Sequence, residues 1–353
     1  MPMPEINWAD LQLLADRLAQ PGPDPTSVSD ADLLMLDQTL DHLVSAEAWS
    51  DIIRLRRMFN ALLARDTFTG LLVMQRLSSA AITAAERVGD KKELAHLLGA
   101  EGHNLHRQGY HRQAIEAFER SAQLYQETDE PYQSLKSYYM TSLCYRALGG
   151  RQRAQQILGD VLKRTAPDDP WRGEPLQVMS WLTQDEGRLA DAERLLREAI
   201  EYQRRGKDHD ILVAGAMTDL AEMVGLQGRV EEAEDLFQQS LNILSRYEGQ
   251  YNRQEARTRL KLADLLMQQQ KYNQALQLLN EAEDEIGVYG LYYDLVWRIE
   301  MTRSFIFFRR GQWKLALRKA RSALHIRRKL NLSTKMLVSQ LVNRLRVGSG
   351  LPR

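Results

Sequence analysis

Six alanines recur along this chain, Ala114, Ala154, Ala192, Ala233, Ala275 and Ala316, at intervals of 40, 38, 41, 42 and 41 residues. No other feature restricts the possible folds so strongly, because a steady period of this length implies one supersecondary unit copied and stacked. Five residues before each alanine stands Gly109, Gly149, Gly187, Gly228, Gln270 or Gly311. Twelve before it stands a small residue: Gly102, Ser142, Ser180, Ala221, Ala263 or Ser304. Four after it come Phe118, Leu158, Leu196, Phe237, Leu279 and Ala320, and three positions further on Ser121, Val161, Ala199, Ser240, Ala282 and Ala323.

The spacing predicts an antiparallel helix pair. Two helices approach closely only where neither carries bulk, so a small residue in the first helix facing an alanine in the second permits a tight crossing. The glycine between them tolerates the positive φ that a sharp turn needs. The larger residue one turn beyond the alanine shares its face and fills the space beside the crossing. One pair alone leaves an apolar face in water, and stacking on neighbouring pairs removes it. An all-α solenoid follows.

The flanks are less regular. Residues 45–65 and 67–90 read as a degenerate first pair, with Leu71 where the alanine belongs. Ahead of them, SDADLLMLDQTLDHL opens with Ser29 and Asp32 in capping-box spacing, and INWADLQLLADRL places Trp8, Leu11 and Leu18 on one stripe. PGPDP, residues 21–25, separates these two helices as a stiff linker. The expected organisation is amino-terminal helices over 1–47, an array of about seven pairs over 48–330, and a capping helix with a frayed tail over 331–353. TAPDDPWRGEP, residues 165–175, is the longest internal break and is expected to introduce a bend.

With 44% hydrophobic and 27% charged residues the chain has the composition of a folded protein. No apolar run reaches the length of a bilayer span, and MPMPEINWADLQ lacks the basic and apolar segments of a secretory signal, so a cytoplasmic protein without membrane insertion is expected. A single cysteine, Cys144, rules out an internal disulfide framework and is expected to be a small buried side chain. The net charge of zero conceals an asymmetry. From Met301 to Arg353 there are fourteen Lys or Arg and no Asp or Glu, whereas Lys207 to Gly290 holds fifteen acidic and eight basic residues.

The small, Gly, Ala, aromatic, Ala order in LGAEGHNLHRQGYHRQAIEAFERS, MTSLCYRALGGRQRAQQIL and LADLLMQQQKYNQALQLLNEA resembles the tetratricopeptide repeat family. The resemblance spans roughly residues 48–330. The period near 41 exceeds the usual period of about 34 and the terminal proline is missing, which makes the units similar to the extended repeats of kinesin light chains, bacterial signalling sensor regions and peptide-sensing bacterial regulators. It implies a right-handed superhelix whose first helices line a concave groove, and hence a scaffold holding a peptide or protein segment. The groove residues so implied are Arg56, Asn60, His96, His103, His106, Arg107, Lys136, Tyr139, Arg146, Glu174, Trp181, Gln184 and Asp185, followed by Glu222, Arg257, Asp264, Arg298, Phe305 and Arg309. Its amino-terminal third is cationic or potentially so, suited to an acidic peptide, a chain-end carboxylate or a phosphate. Arg56, Asn60 and Lys136 sit where chaperone-binding repeats carry a carboxylate clamp, while Ala100 and Met140 depart from that pattern.

Four histidines, His96, His103, His106 and His111, fall within sixteen residues. His96 and His103 share a helix face but are roughly 10 Å apart along its axis, too far for one metal ion. His103 and His106 are close enough to chelate, yet the aligned positions of neighbouring repeats supply no thiol or carboxylate, and His111 beyond Gly109 is expected to point elsewhere. Neither a metal nor another cofactor is expected. No G-x-S-x-G, P-loop or H-E-x-x-H pattern occurs, and Glu231-Glu232 and Glu283-Asp284-Glu285 read as solvated charge, so no enzyme is expected.

The basic end offers an alternative. Arg309, Arg310, Arg318, Lys319, Arg321, Arg327, Arg328 and Lys329, beside Phe305, Phe307, Phe308 and Trp313, have the composition of a nucleic-acid or polyanion surface. The aromatic spacing, however, assigns Phe307 to the core of a helix pair and Trp313 to the start of a second helix. A regulator whose array tightens on a short peptide is the other alternative.

Overall fold

In a computed structural model, residues 6–19, 29–59, 71–207, 209–247, 252–286 and 293–329 are described, and among them sixteen α-helices occur and no strand. The chain forms two compact units, Met1–Leu182 and Thr183–Arg353.

The first unit begins with α1 (Trp8–Ala19) and α2 (Asp30–Ser45). Ser29 and Asp32 complete both halves of the capping box that starts α2. Leu11 is buried and Trp8 packs beside it, while PGPDP and the side chain of Leu18 lie outside the described residues. Helices α3 (Trp49–Met58) and α4 (Leu71–Val88) form the irregular first pair. Close packing in α4 falls to Ser78, Ala81 and Ala85, all buried, two or more turns beyond Leu71. Then come the pair α5 (Lys91–Arg107) and α6 (His111–Glu127), the pair α7 (Pro131–Ala147) and α8 (Arg151–Arg164), and α9 (Gly173–Asp185), which runs through the division between units. The break before α9 is a packed joint. Asp169 caps a single 3-10 turn, Trp171 is 6% exposed, and Arg172 donates to the carbonyls of Leu162 and Thr165 at 2.7 and 3.0 Å.

The second unit continues with α10 (Leu189–Arg204), the pair α11 (Asp210–Leu226) and α12 (Val230–Leu244), the pair α13 (Asn252–Gln268) and α14 (Tyr272–Ile286), and the pair α15 (Tyr293–Arg309) and α16 (Trp313–Lys329). Helix α11 is apolar nearly all round and accordingly buried over most of its surface. First helices of successive pairs also touch, α5 with α7, α11 with α13, and α13 with α15.

The periodic residues do what their spacing requires. Five of the six alanines are wholly buried, Ala192 and Ala233 among them, and Ala316 is buried at 6% exposure. Gly102 allows an approach so close that a Cβ there would lie 2.8 Å from the Phe118 ring. Gly109 adopts φ 83°, and the turn it forms closes with Tyr110 N–H donating to the Leu105 carbonyl at 2.9 Å. Gln270 takes the same left-handed conformation at φ 63° without being glycine. Two of the small residues seven places after the alanine serve as tethers. Ser121 donates to the Ala95 carbonyl at 2.7 Å and Ser240 to the Ala214 carbonyl at 2.8 Å, both reaching back twenty-six residues to the first helix. No described helix is long and apolar enough to cross a membrane.

Candidate functional site

Helices α5 and α7 bring most of the expected residues of the first unit onto one side of their pairs. His96, His103, Arg107 and Lys136 are exposed, and Tyr139, Arg146 and Trp181 are partly buried. The His103 ring stands edge-on to Phe118, 5.1 Å between centroids, and Arg107 donates to Asn104 Oδ1 at 3.0 Å. Lys136 lies over the ring of Tyr132 at 4.7 Å, and Arg146 over that of Trp181 at 5.1 Å. Trp171 receives the edges of Tyr132 and Tyr139 at 5.5 and 5.8 Å. The result is a row of aromatic rings with two cations resting on their faces. Trp171 and Tyr132 were not among the residues singled out from sequence, because Trp171 comes from the joint and not from a repeat position.

Two expectations change, those for Arg56 and for the charge of the histidines. Arg56 is 2% exposed, because α4 covers it, and its Nε donates to Ser78 Oγ at 3.3 Å. Burial brings its guanidinium down to about 10 despite the charges of Glu93 and Glu101. It lines no open groove. Asn60 lies outside the described residues. Gln184 is half-buried beyond the division, in the other unit. Finally, protonation of His103 and His106 is disfavoured. Partial desolvation of the ring where it packs on Phe118, and then the charge of Arg107, lowers His103 below its ordinary 6.5; burial first and the neighbouring His111 and His103 second bring His106 to about 4. The cationic character of this face rests on Arg107, Lys136 and Arg146.

The histidines also regroup. His106 meets His111, ring centroids 5.0 Å apart, because the turn at Gly109 folds α6 back across the end of α5. The Cys144 thiol, buried on α7, lies 3.3 Å from His106 Nδ1. One ligand atom from each of His106, His111 and Cys144 falls within 4.8 Å of the others. Sequence reasoning sent His111 elsewhere and found no thiol nearby; both conclusions are corrected here. Nδ1 of His111 is buried with no hydrogen-bond partner, an arrangement that ordinarily costs about 1–3 kcal/mol.

The corresponding face of the second unit is occupied by its own charges. Asp219 on α11, 1% exposed, binds both Arg257 and Lys261 of α13, and Lys261 also reaches Glu222 at 2.6 Å. Asp264 accepts from Thr302 at 2.9 Å. A cleft of about 410 Å³ lined by Gln203, Arg204, Asp210, Met217, Asn242 and Arg246 brings together no nucleophile and base among the described residues.

At the basic end, Lys319 is committed to buried Glu300 at 2.8 Å and Arg303 is buried against Glu300 and Glu283. Arg310 donates to Asn273, while Arg309, Arg318 and Arg321 are exposed. Arg327, Arg328 and Lys329 fall in the last turn of α16, where side chains are outside the description. Ile306, not Phe307, is the wholly buried residue of that stretch, and Trp313, 62% exposed, opens α16 with its ring edge-on to Phe308.

Residues 212–284 match the family model described as tetratricopeptide repeat. Among solved structures, the ligand-free form of RapI is similar at 14% identity and TM-score 0.58, over 74% of this chain and 92% of that one. NprR in complex with its cognate peptide NprX is similar at 13% identity and TM-score 0.55, over 98% and 94%. A tetratricopeptide repeat protein from Parabacteroides merdae ATCC 43184 is similar at 14% identity and TM-score 0.54, over 85% and 99%. No curated protein sequence matches. At these identities the likeness is one of fold.

Proposed function

We propose that this chain, with tetratricopeptide repeats over residues 212–284 and stacked helix pairs of the same kind through its described length, is a protein-interaction scaffold that holds a peptide or protein segment. The segment lies on the first-helix face of the amino-terminal unit, across α5 and α7. One contrast carries this reading: there Lys136 is exposed and rests on an aromatic face, whereas Asp219, Arg257, Lys261 and Glu222 of the second unit neutralise one another. Lys136, exposed over the Tyr132 ring, has ammonium hydrogens to offer a carboxylate, and the rings offer rigid apolar area at small entropic cost. His103, whose protonation its surroundings disfavour, adds a hydrogen-bonding group. The ligand chemistry is therefore an acidic segment or a chain-end carboxylate. The shared fold with NprR, solved with a peptide, supports a peptide as the ligand.

Polyanion binding through the basic repeat has weaker support, since Lys319 and Arg303 already serve Glu300. The test is a panel of labelled peptides, acidic, neutral and basic, each with a free or amidated end, read by fluorescence anisotropy. Acidic peptides should be selected, and the double reversal Arg107→Glu with Lys136→Glu should abolish that selection at unchanged helicity. Indifference of the panel to peptide charge, or unaltered affinity in the reversed variant, would overturn the proposal.

A further inference from the structure

We infer that His106, His111 and Cys144 form a binding site for a zinc-class divalent metal ion. The three side chains come from three successive helices, α5, α6 and α7, and their ligand atoms converge within 4.8 Å. The sulfur and Nδ1 of His106, 3.3 Å apart, already have nearly the separation that coordination needs. Around a tetrahedral ion with bonds of about 2.0 Å to nitrogen and about 2.3 Å to sulfur, the nitrogen-to-sulfur edge is roughly 3.5 Å. His111 is the first residue of α6 and only half-buried, so its ring has room to turn the remaining distance.

The surroundings agree with the geometry. Hydrophobic packing accounts for Cys144, which sits with Ala114, Ile115 and Phe118, but not for two imidazoles placed against it. The rings of His106 and His111 are tilted by 55°, and Nδ1 of His111 is buried without a partner that a metal or a proton donor would supply. His103, although nearer in sequence, is engaged with Phe118 and stands outside the group.

The donor set selects the ion. One thiolate with two imidazoles and no carboxylate suits zinc or cobalt and is wrong for calcium or magnesium, which take oxygen ligands. On binding, the Cys144 S–H bond breaks and its proton passes to solvent. One sulfur–metal and two nitrogen–metal bonds displace five of the six waters of the hydrated ion, and the remaining water completes the tetrahedron. The bound ion links α5, α6 and α7, so it stabilises the folded state in proportion to its concentration over its dissociation constant. The inference does not depend on the peptide reading, because the groups involved are different.

The test uses the full-length chain, stripped with a chelator and titrated with Co²⁺ as the optical probe, then with Zn²⁺. Saturation at one equivalent is expected, with a thiolate-to-cobalt charge-transfer band and the intense visible bands of a tetrahedral centre, both erased by zinc. Cys144→Ser should remove the charge-transfer band, and His111→Gln, at a half-buried helix start that tolerates substitution, should weaken affinity by roughly a hundredfold. His103→Gln should leave cobalt affinity unchanged. The weak spectrum of octahedral cobalt in the wild type, or the same bands in Cys144→Ser and His111→Gln with circular dichroism intact, would overturn the inference.

Discussion

Lys261 on α13 places Nζ 2.7 Å from Oδ1 of Asp219 on α11, forty-two residues away, with both side chains less than a tenth exposed. Arg257 reaches the same carboxylate, so one buried anion joins two cations of the next pair. Charges taken out of water are retained only when paired, and the pairing here ties one repeat to the next.

Removing that anion should therefore be severe. Asp219→Ala is expected to cost about 3–5 kcal/mol in urea unfolding, because Lys261 and Arg257 are left facing one another with Glu222 as the nearest compensation. Arg197→Ala, which breaks exposed bridges to Glu193 and Glu232, should cost less than about 1 kcal/mol. Equal losses in the two variants would show that burial does not distinguish these networks.

Three glycines should respond with different signs to the same added methyl group. Gly159→Ala, in mid α8 with nothing within 4 Å of the new Cβ, should stabilise by about 0.5–1 kcal/mol through helix propensity. Gly102→Ala drives a Cβ into the Phe118 ring and should destabilise by about 1–3 kcal/mol. Gly109→Ala is unobstructed in space but strained at φ 83°, and should lose about 1–2 kcal/mol. Thermal unfolding of the three variants side by side decides the matter, and a common sign would refute the assignment of roles.

The acid limb of stability should reveal Glu300. Burial alone would raise its carboxyl, but hydrogen bonds from Lys319 and Arg303 outweigh burial and hold it below the ordinary 4.5. A carboxyl lowered in the folded state adds stability that is complete above 4.5 and disappears as the pH falls through the lowered value. Glu300→Gln should thus be less stable than wild type at neutral pH, with the gap narrowing below pH 4.5. A gap independent of pH, measured by denaturant titration on both sides of that value, would remove the electrostatic account.

How much of this was legible beforehand differs by residue. Positive φ was assigned correctly to the turns at Gly109, Gly149, Gly187, Gly228 and Gly311, because the requirement for a missing Cβ is written in the residue type itself. Burial of Ala192 and Ala233 followed from period alone. Arg56 was misplaced, since the register of the first pair has no small-residue signature to anchor it and α4 came to lie over the arginine. Tyr132 and Trp171 escaped notice because a joint outside the period delivers the tryptophan.

The sequence by itself determined the unit: two helices, a turn, a crossing held open to close approach by small side chains, and six copies of it. Those are local steric demands, and they recur wherever the residues recur. Only the tertiary structure decided which side chains from different copies meet. Cys144 reaches His106 across thirty-eight residues, and Lys261 reaches Asp219 across forty-two, through the angle at which one pair stacks on the next. That angle is the summed outcome of many packing contacts, each worth little, and no single spacing in the chain encodes it.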